Sequence, residues 1–199
     1  SAWQCGLAVY HDPLALGAAI AGSTGAHAAA DALERHLDAL FNAPARFDSG
    51  HYATEIHEMS EMAALDFGQY AHSNQPSHHI PFLYTYTASP WKADHVVRSV
   101  LEQLYDSSPA GFCGDEDNGE MSAWYVLASL GLYQICPGRP EYQVTAPLFG
   151  EALVEPEGRE PVRIAASGSS TNTRYAGGIR VDGRPLDGRV LPHARRLLV

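Results

Sequence analysis

GFCGDEDNGEMSAWYVLASLGLY, residues 111–133, places three acids between two glycines and then runs straight into an apolar stripe. The stripe predicts a helix from about Gly119 to Tyr133, with Met121, Trp124, Tyr125, Ala128 and Leu132 on one face. Asp117 or Asn118 caps such a helix in the ordinary reading. Capping needs one acid, and Asp115 and Asp117 are one residue apart, so in an extended loop both side chains point the same way. Close carboxylates repel unless a cation or sugar hydroxyls lie between them. Such a pair suits a general base that activates water, or half of a metal site.

Working upstream, the helical period recurs. Asp12 and Pro13 supply a cap and a first-turn proline for LALGAAIAG. Ala30, Leu33, Leu37, Leu40 and Phe41 form a stripe in GAHAAADALERHLDALF, and Ile56, Met59, Met62 and Ala63 form another in TEIHEMSEMAALDFGQY. HHIPFLYTYTA predicts a fourth helix, bent or begun late because Pro81 has no N–H. SPWKADHVVRSVLEQLYDSS predicts a fifth, capped by Ser89, with Val96, Val97, Val100, Leu101 and Leu104 inward. Downstream of about residue 140 the period changes to short alternating runs punctuated by Gly and Pro, which predict antiparallel strands, and RVDGRPL signals a hairpin through Asp182 and Gly183. Helices followed by strands make the chain mainly α with a C-terminal β segment, the strands forming their own layer.

Composition narrows the function classes. The 199 residues are 45% apolar, enough for a buried core. A formal charge of -10 with no basic run argues against nucleic acid and anionic membranes as partners. No apolar stretch has transmembrane length, so membrane insertion is not expected. Three scattered cysteines make neither a disulfide framework nor a zinc site.

Two further clusters carry polar chemistry. In IHEMSEM, His57, Glu58 and Glu61 share overlapping helix faces, either as a functional edge or as a solvated one. A zinc-protease reading fails because a His would be needed where Glu61 stands. In HSNQPSHHIPFLYTYTASPWK, His72, His78 and His79 surround a proline turn with Asn74 and Gln75, as structural or hydroxyl-binding groups. Together with Trp3, Tyr86, Trp91 and Trp124 these residues have the make-up of a carbohydrate site, where aromatic faces meet C–H surfaces and planar polar groups read hydroxyls.

In chain order, SAWQ, HEMSEM, GQYAHSNQPSHHIPFLY, PWK and GDEDNGEMSAWYVLASLGLYQICPG resemble glycoside hydrolase family 92, the calcium-dependent inverting exo-α-mannosidases. RYAGGIRVDGRPLDGRVLPH is similar to the closing strands of that family, so the resemblance spans nearly the whole chain. It implies a partial (α/α)6 toroid over residues 1–139, and over 140–199 a strand segment that packs on an N-terminal β-sandwich missing from this chain. Carried over by position, Asp117 matches the proposed general base and Asp115 its partner carboxylate. His57 and Glu58 match the pair that holds the leaving sugar in members acting on α-1,2 linkages. Trp3, Gln4, His78, His79 and Trp91 are expected on the substrate, and Glu61 and Asn74 on Ca2+. Two positions depart from the pattern: Gln75 stands where many relatives carry Glu, and Ser1 where Asn is usual.

The implied activity is release of terminal α-linked mannose from mannose-rich glycans, and the implied partner is the N-terminal half of the same enzyme. The family's general acid would lie two residues before Ser1, so the chain taken alone is expected to be inactive on natural leaving groups and to expose apolar surface. A secreted or periplasmic location follows from the substrate class. The alternative, a noncatalytic carbohydrate-binding helical domain, has no need of a base, and retention of both Asp115 and Asp117 favours the enzyme.

Overall fold

Each helix of the protein forms where an apolar stripe meets a local stop signal. The computed structural model describes residues 2–168 and 173–192, so Ser1 and the end of the expected strand segment, 193–199, lie outside the described residues. A short helix, α1 (Ala2–Cys5), precedes α2 (Pro13–Ala21), whose first turn is fixed by Asp12: its Oδ1 accepts from the Ala15 N–H at 3.0 Å. Gly22, at φ 60, ends α2. α3 (Ala26–Asn42) lies against it so closely that a Cβ on Gly17 would sit 2.6 Å from the Ala29 carbonyl oxygen. The stripe of α3 is buried at Ala29, Ala32, Leu33, Leu37 and Leu40.

α4 (His57–Leu65) buries Met62 alone, so of its expected inward face Ile56, Met59 and Ala63 remain half-exposed. The expected fourth helix is instead a 3-10 segment, Ile80–Tyr86, of which Ile80 to Tyr84 are buried. α5 (Trp91–Gln103) buries Val97, Val100 and Leu101 as its stripe requires, and Val96 stays half-exposed. Lys92 ties it to α3 through Glu34 at 2.7 Å and Asp38 at 2.6 Å, and Tyr84 donates to Asp38 at 2.9 Å.

The last helix, α6 (Glu120–Ser129), stops short of the expected Tyr133. Gly131 has φ 75 and lies against the chain returning at Thr145, whose carbonyl oxygen would be 2.5 Å from an added Cβ. The backbone therefore leaves the helix and forms β1 (Leu132–Tyr133). β2 (Glu141–Val144) pairs antiparallel with β1, Leu132 opposite Val144. β3 (Glu151–Val154) and β4 (Val162–Ala165) form a hairpin, as do β5 (Arg180–Val181) and β6 (Arg184–Pro185). Asp182 and Gly183 turn the second of these with φ 49 and 76, both positive as its type of turn demands. β7 (Val190–Pro192) closes the first sheet in the order β1-β2-β7.

The strands are joined to the helices where β1 follows directly on α6 and where Arg189 reaches back to Asp94 of α5. The core runs through Leu33, Leu37, Phe82, Val100 and Trp124. Among the described residues, no helix is long and apolar enough to cross a membrane.

Candidate functional site

Two loops that are distant in sequence meet in front of α6. Gln75 Nε2 donates to the Asp115 carbonyl at 3.4 Å, and Gly114 abuts Ser73 so tightly that a Cβ there would be 2.6 Å from the Ser73 Cβ. His78 Nδ1 faces Glu120 Oε1 at 3.2 Å. The segment 72–79 and the acid loop 113–120 thus form one unit.

Within the acid loop the three carboxylates divide their work. Glu116 Oε2 accepts from the Gly119 N–H, and its Oε1 accepts from the Ser122 hydroxyl at 2.6 Å and the Ser122 N–H at 3.3 Å. These charged hydrogen bonds, the Ser122 hydroxyl first, hold the Glu116 carboxyl below its ordinary pKa. Among the side chains of the loop, that of Glu116, and neither that of Asp117 nor that of Asn118, therefore serves the N–H groups of the helix start. Asp115 and Asp117 are both exposed, and their carboxylates hold no hydrogen bond or ion pair among the described residues. The loop is not extended: Asp117, Asn118 and Gly119 have φ 51, 58 and 101. Strand-like alternation therefore does not set the directions of the two aspartates, and the left-handed backbone at Asp117 and Asn118 is sparsely populated for residues with a Cβ.

α4 brings the second cluster close. Cys113 has its thiol pushed up to about 11 by burial, with the Glu61 carboxylate adding to the rise, so Glu61 is near the acid loop. His57 and Glu58, at the first turn of α4, form an exposed pair with Nε2 and Oε1 3.5 Å apart. Trp3 is half-exposed and tilted against His36 at 5.4 Å between ring centres.

Other expected sugar contacts are placed differently. His78 is fully buried, its Nε2 donating to the His72 carbonyl at 2.9 Å. His79 is 1% exposed and donates from Nε2 to the Leu7 carbonyl at 2.9 Å. Gln4 is buried and donates to the Gln69 carbonyl at 3.1 Å. These three side chains are buried and each is bonded to a backbone carbonyl. Trp124 is core, 1% exposed, with its indole N–H on the His78 carbonyl at 3.0 Å. Trp91 is exposed but lines another depression with Asp38, Phe41, Lys92, His95 and Tyr175.

For calcium, Glu61 and Asn74 offer hard oxygen donors of the right kind. Among the described residues, no three His, Cys, Asp or Glu side chains gather as a metal site. Calcium takes about six to eight oxygens, to which Glu61 and Asn74 would contribute. Two residues of this unit, Glu116 and Glu120, carry no sequence signal of their role: each looks like an ordinary helix-entry acid.

Residues 1–198 match the Glycosyl hydrolase family 92 catalytic domain, which defines the class as glycosidase catalytic domains. Among solved structures, the chain is 38% identical to the family GH92 inverting mannosidase BT2199 of Bacteroides thetaiotaomicron VPI-5482, with TM-score 0.76, covering 98% of this chain and 26% of that one. The family GH92 α-mannosidase BT3965 of Bacteroides thetaiotaomicron, solved with mannoimidazole, is similar in fold at 24% identity and TM-score 0.75, over 94% of this chain and 23% of that one. The gh92 family glycosyl hydrolase ccman5 is similar in fold at 19% identity and TM-score 0.70, over 96% and 26%. No curated protein matches the chain. This chain belongs to glycosyl hydrolase family 92. It spans about a quarter of the length of these solved relatives.

Proposed function

We propose that this chain is the part of an inverting α-mannosidase that supplies the general base. The carrying observation is the division of labour in the acid loop: Glu116 caps α6, which leaves Asp115 and Asp117 exposed and free for chemistry. Asp117 takes the proton of a water that attacks the anomeric carbon from the face opposite the leaving oxygen, and Asp115 beside it holds that water in place. Inversion also needs a carboxylic acid on the leaving-group side, roughly 6.5 to 9.5 Å from the base. That role is assigned to the remainder of the protein, as are the other half of an (α/α)6 toroid and the β-sandwich against which the strands would pack.

Substrate contacts are proposed for Trp3, His57 and Glu58, with His57 and Glu58 holding the leaving sugar of an α-1,2-linked mannose. Gln4, His78 and His79 act beneath the site as supports. Calcium is proposed as the cofactor of the whole enzyme, with Glu61 and Asn74 giving oxygen ligands; the proton transfers above do not depend on it. Mannose-rich glycans outside the cytoplasm are the proposed substrates, which makes the protein secreted or periplasmic.

The intact enzyme carrying Asp117→Asn keeps the shape of the side chain and loses the proton acceptor. Turnover of an α-mannoside should fall by about a hundredfold or more, with substrate affinity little changed. A rate close to wild type would exclude Asp117 as the base, and unchanged binding with no hydrolysis by the wild type would leave the noncatalytic sugar-binding reading.

A further inference from the structure

A buried imidazole and an exposed carboxylate, His78 and Glu120, meet behind the acid loop. The His78 ring is held on all sides. Its Nε2 donates to the His72 carbonyl at 2.9 Å, its face stacks on His72 with ring centres 4.6 Å apart, and its own carbonyl accepts from Trp124 Nε1 at 3.0 Å. His72 is fixed in turn by two phenols, Tyr70 at Nδ1 and Tyr105 at Nε2, each at 2.7 Å. An imidazole locked in this way has one free direction, and along it His78 Nδ1 meets Glu120 Oε1 at 3.2 Å.

Glu120 is the first residue of α6, and its backbone N–H donates to the Asp117 carbonyl at 3.3 Å. A continuous path therefore runs from the core, through the His78 ring and the Glu120 side chain, to the peptide group of the proposed base. The loop at the end of that path holds two non-glycine residues, Asp117 and Asn118, in the left-handed region, and such a conformation persists where its surroundings over-determine it. Gln75 holds the front of the loop at the Asp115 carbonyl, and Gly114 packs on Ser73.

We propose that His78 and Glu120 form a positioning pair that fixes the acid loop, and Asp117 in particular, on the core. The proposal rests on the reading of Asp117 as the base. Burial pushes the His78 pKa down, while the His72 carbonyl and the Glu120 carboxylate oppose that shift. Because Nε2 already donates to the His72 carbonyl, the contact is a hydrogen bond when His78 carries its second proton, the imidazolium donating from Nδ1 to the Glu120 carboxylate and drawing the first turn of α6 onto the ring. Neither residue need touch the sugar.

The test uses the intact enzyme. The Glu120 side chain is 47% exposed, so Glu120→Ala leaves no cavity and should fold. It is expected to lower kcat by about tenfold or more while KM moves by less than about threefold, because displacing a base weakens the transition state without weakening ground-state binding. Amide hydrogen exchange of residues 113–119 should quicken in the same variant while that of Val126 to Ala128 in α6 stays slow. Glu120→Gln should restore most of both, since its amide oxygen accepts from a protonated His78 Nδ1 and its N–H donates to a neutral one. Wild-type kcat and exchange in Glu120→Ala, or equal damage in both variants, would overturn the pair. The exchange comparison does not use catalysis, so it judges the tether even if Asp117→Asn proves active and the base assignment falls.

Discussion

Arg189 grips Asp94 with both guanidinium nitrogens, each 2.9 Å from a different carboxylate oxygen, across 95 residues of chain. Asp94 is 1% exposed, and its two oxygens also accept the N–H groups of Ala146 and Ala176 at 2.8 and 3.1 Å. Arg189 returns two bonds to the carbonyls of Val144 and Ala176. One buried carboxylate thus joins α5, the end of β2, the segment before β5 and the residue that opens β7. Arg189→Ala would strand this charge inside the protein, and breaking a buried pair in that way costs about 3 to 5 kcal/mol. Chemical denaturation of the intact protein should show the loss; a change under about 1 kcal/mol would mean that water reaches Asp94.

Glu116→Ala should cost about 1 kcal/mol by removing the cap of α6, and Glu116→Gln should cost less because its amide oxygen still accepts. The corresponding changes Asp115→Ala and Asp117→Ala should leave thermal stability within about 0.5 kcal/mol of wild type. Melting curves of the four variants decide whether the three acids are divided as the hydrogen bonds indicate.

His57→Ala and Glu58→Gln should damage hydrolysis of an α-1,2-linked mannobiose more than that of an aryl mannoside, since contacts to the leaving sugar are absent from the second substrate. A difference of about tenfold in kcat/KM between the substrates would be consistent with one lost hydrogen bond. Equal losses on both would remove the pair from the leaving-group side.

Chelation followed by dialysis should abolish mannosidase activity of the intact enzyme, and Ca2+ should restore it where Zn2+ does not, because Glu61 and Asn74 offer only oxygen. Glu61→Gln should raise the Ca2+ concentration needed for half-recovery. Full activity in metal-free buffer would rule the metal out.

Burial is the main cause that lowers the pKa of His79, whose ring lies tilted against Tyr10 with ring centres 4.4 Å apart. The folded protein therefore keeps this imidazole neutral where the unfolded chain, with an ordinary value near about 6.5, already binds a proton. The contribution is complete above that pH and is lost as the pH falls through it. His79→Gln should flatten the decline of the melting temperature between about pH 7 and 5; an unchanged slope would assign the decline to other groups.

Where one face of a segment is buried, its pattern is plain in the chain: α2, α3 and α5 follow from the apolar period, and Asp12 with Pro13 marks a start that the hydrogen bond to Ala15 bears out. Ile80 to Tyr84 are buried throughout, so they have no period to betray a 3-10 rather than an α conformation. The end of α6 depends on Gly131 meeting Thr145, a contact that is written nowhere near the helix. At the site, the grouping of three acids before a helix is visible in the residue order. Which acid caps, and that His78 answers Glu120 over 42 residues, are facts of packing. Aromatic residues misled for the same reason: Trp91 and Trp124 look alike in a list of letters, yet one is open to solvent and the other is core.

Asn118 is followed by Gly119, the sequence in which an asparagine side chain is most readily lost, because a glycine nitrogen can attack the neighbouring amide carbon unhindered by any side chain. That nitrogen carries the N–H held by Glu116 Oε2. Cyclisation, which would insert an isoaspartate next to Asp117, requires this nitrogen to lose its proton and leave its hydrogen bond to the carboxylate. Glu116 thereby governs how the acid loop ages as well as how its helix begins, and prolonged storage of Glu116→Ala should show isoaspartate accumulating at residue 118 first.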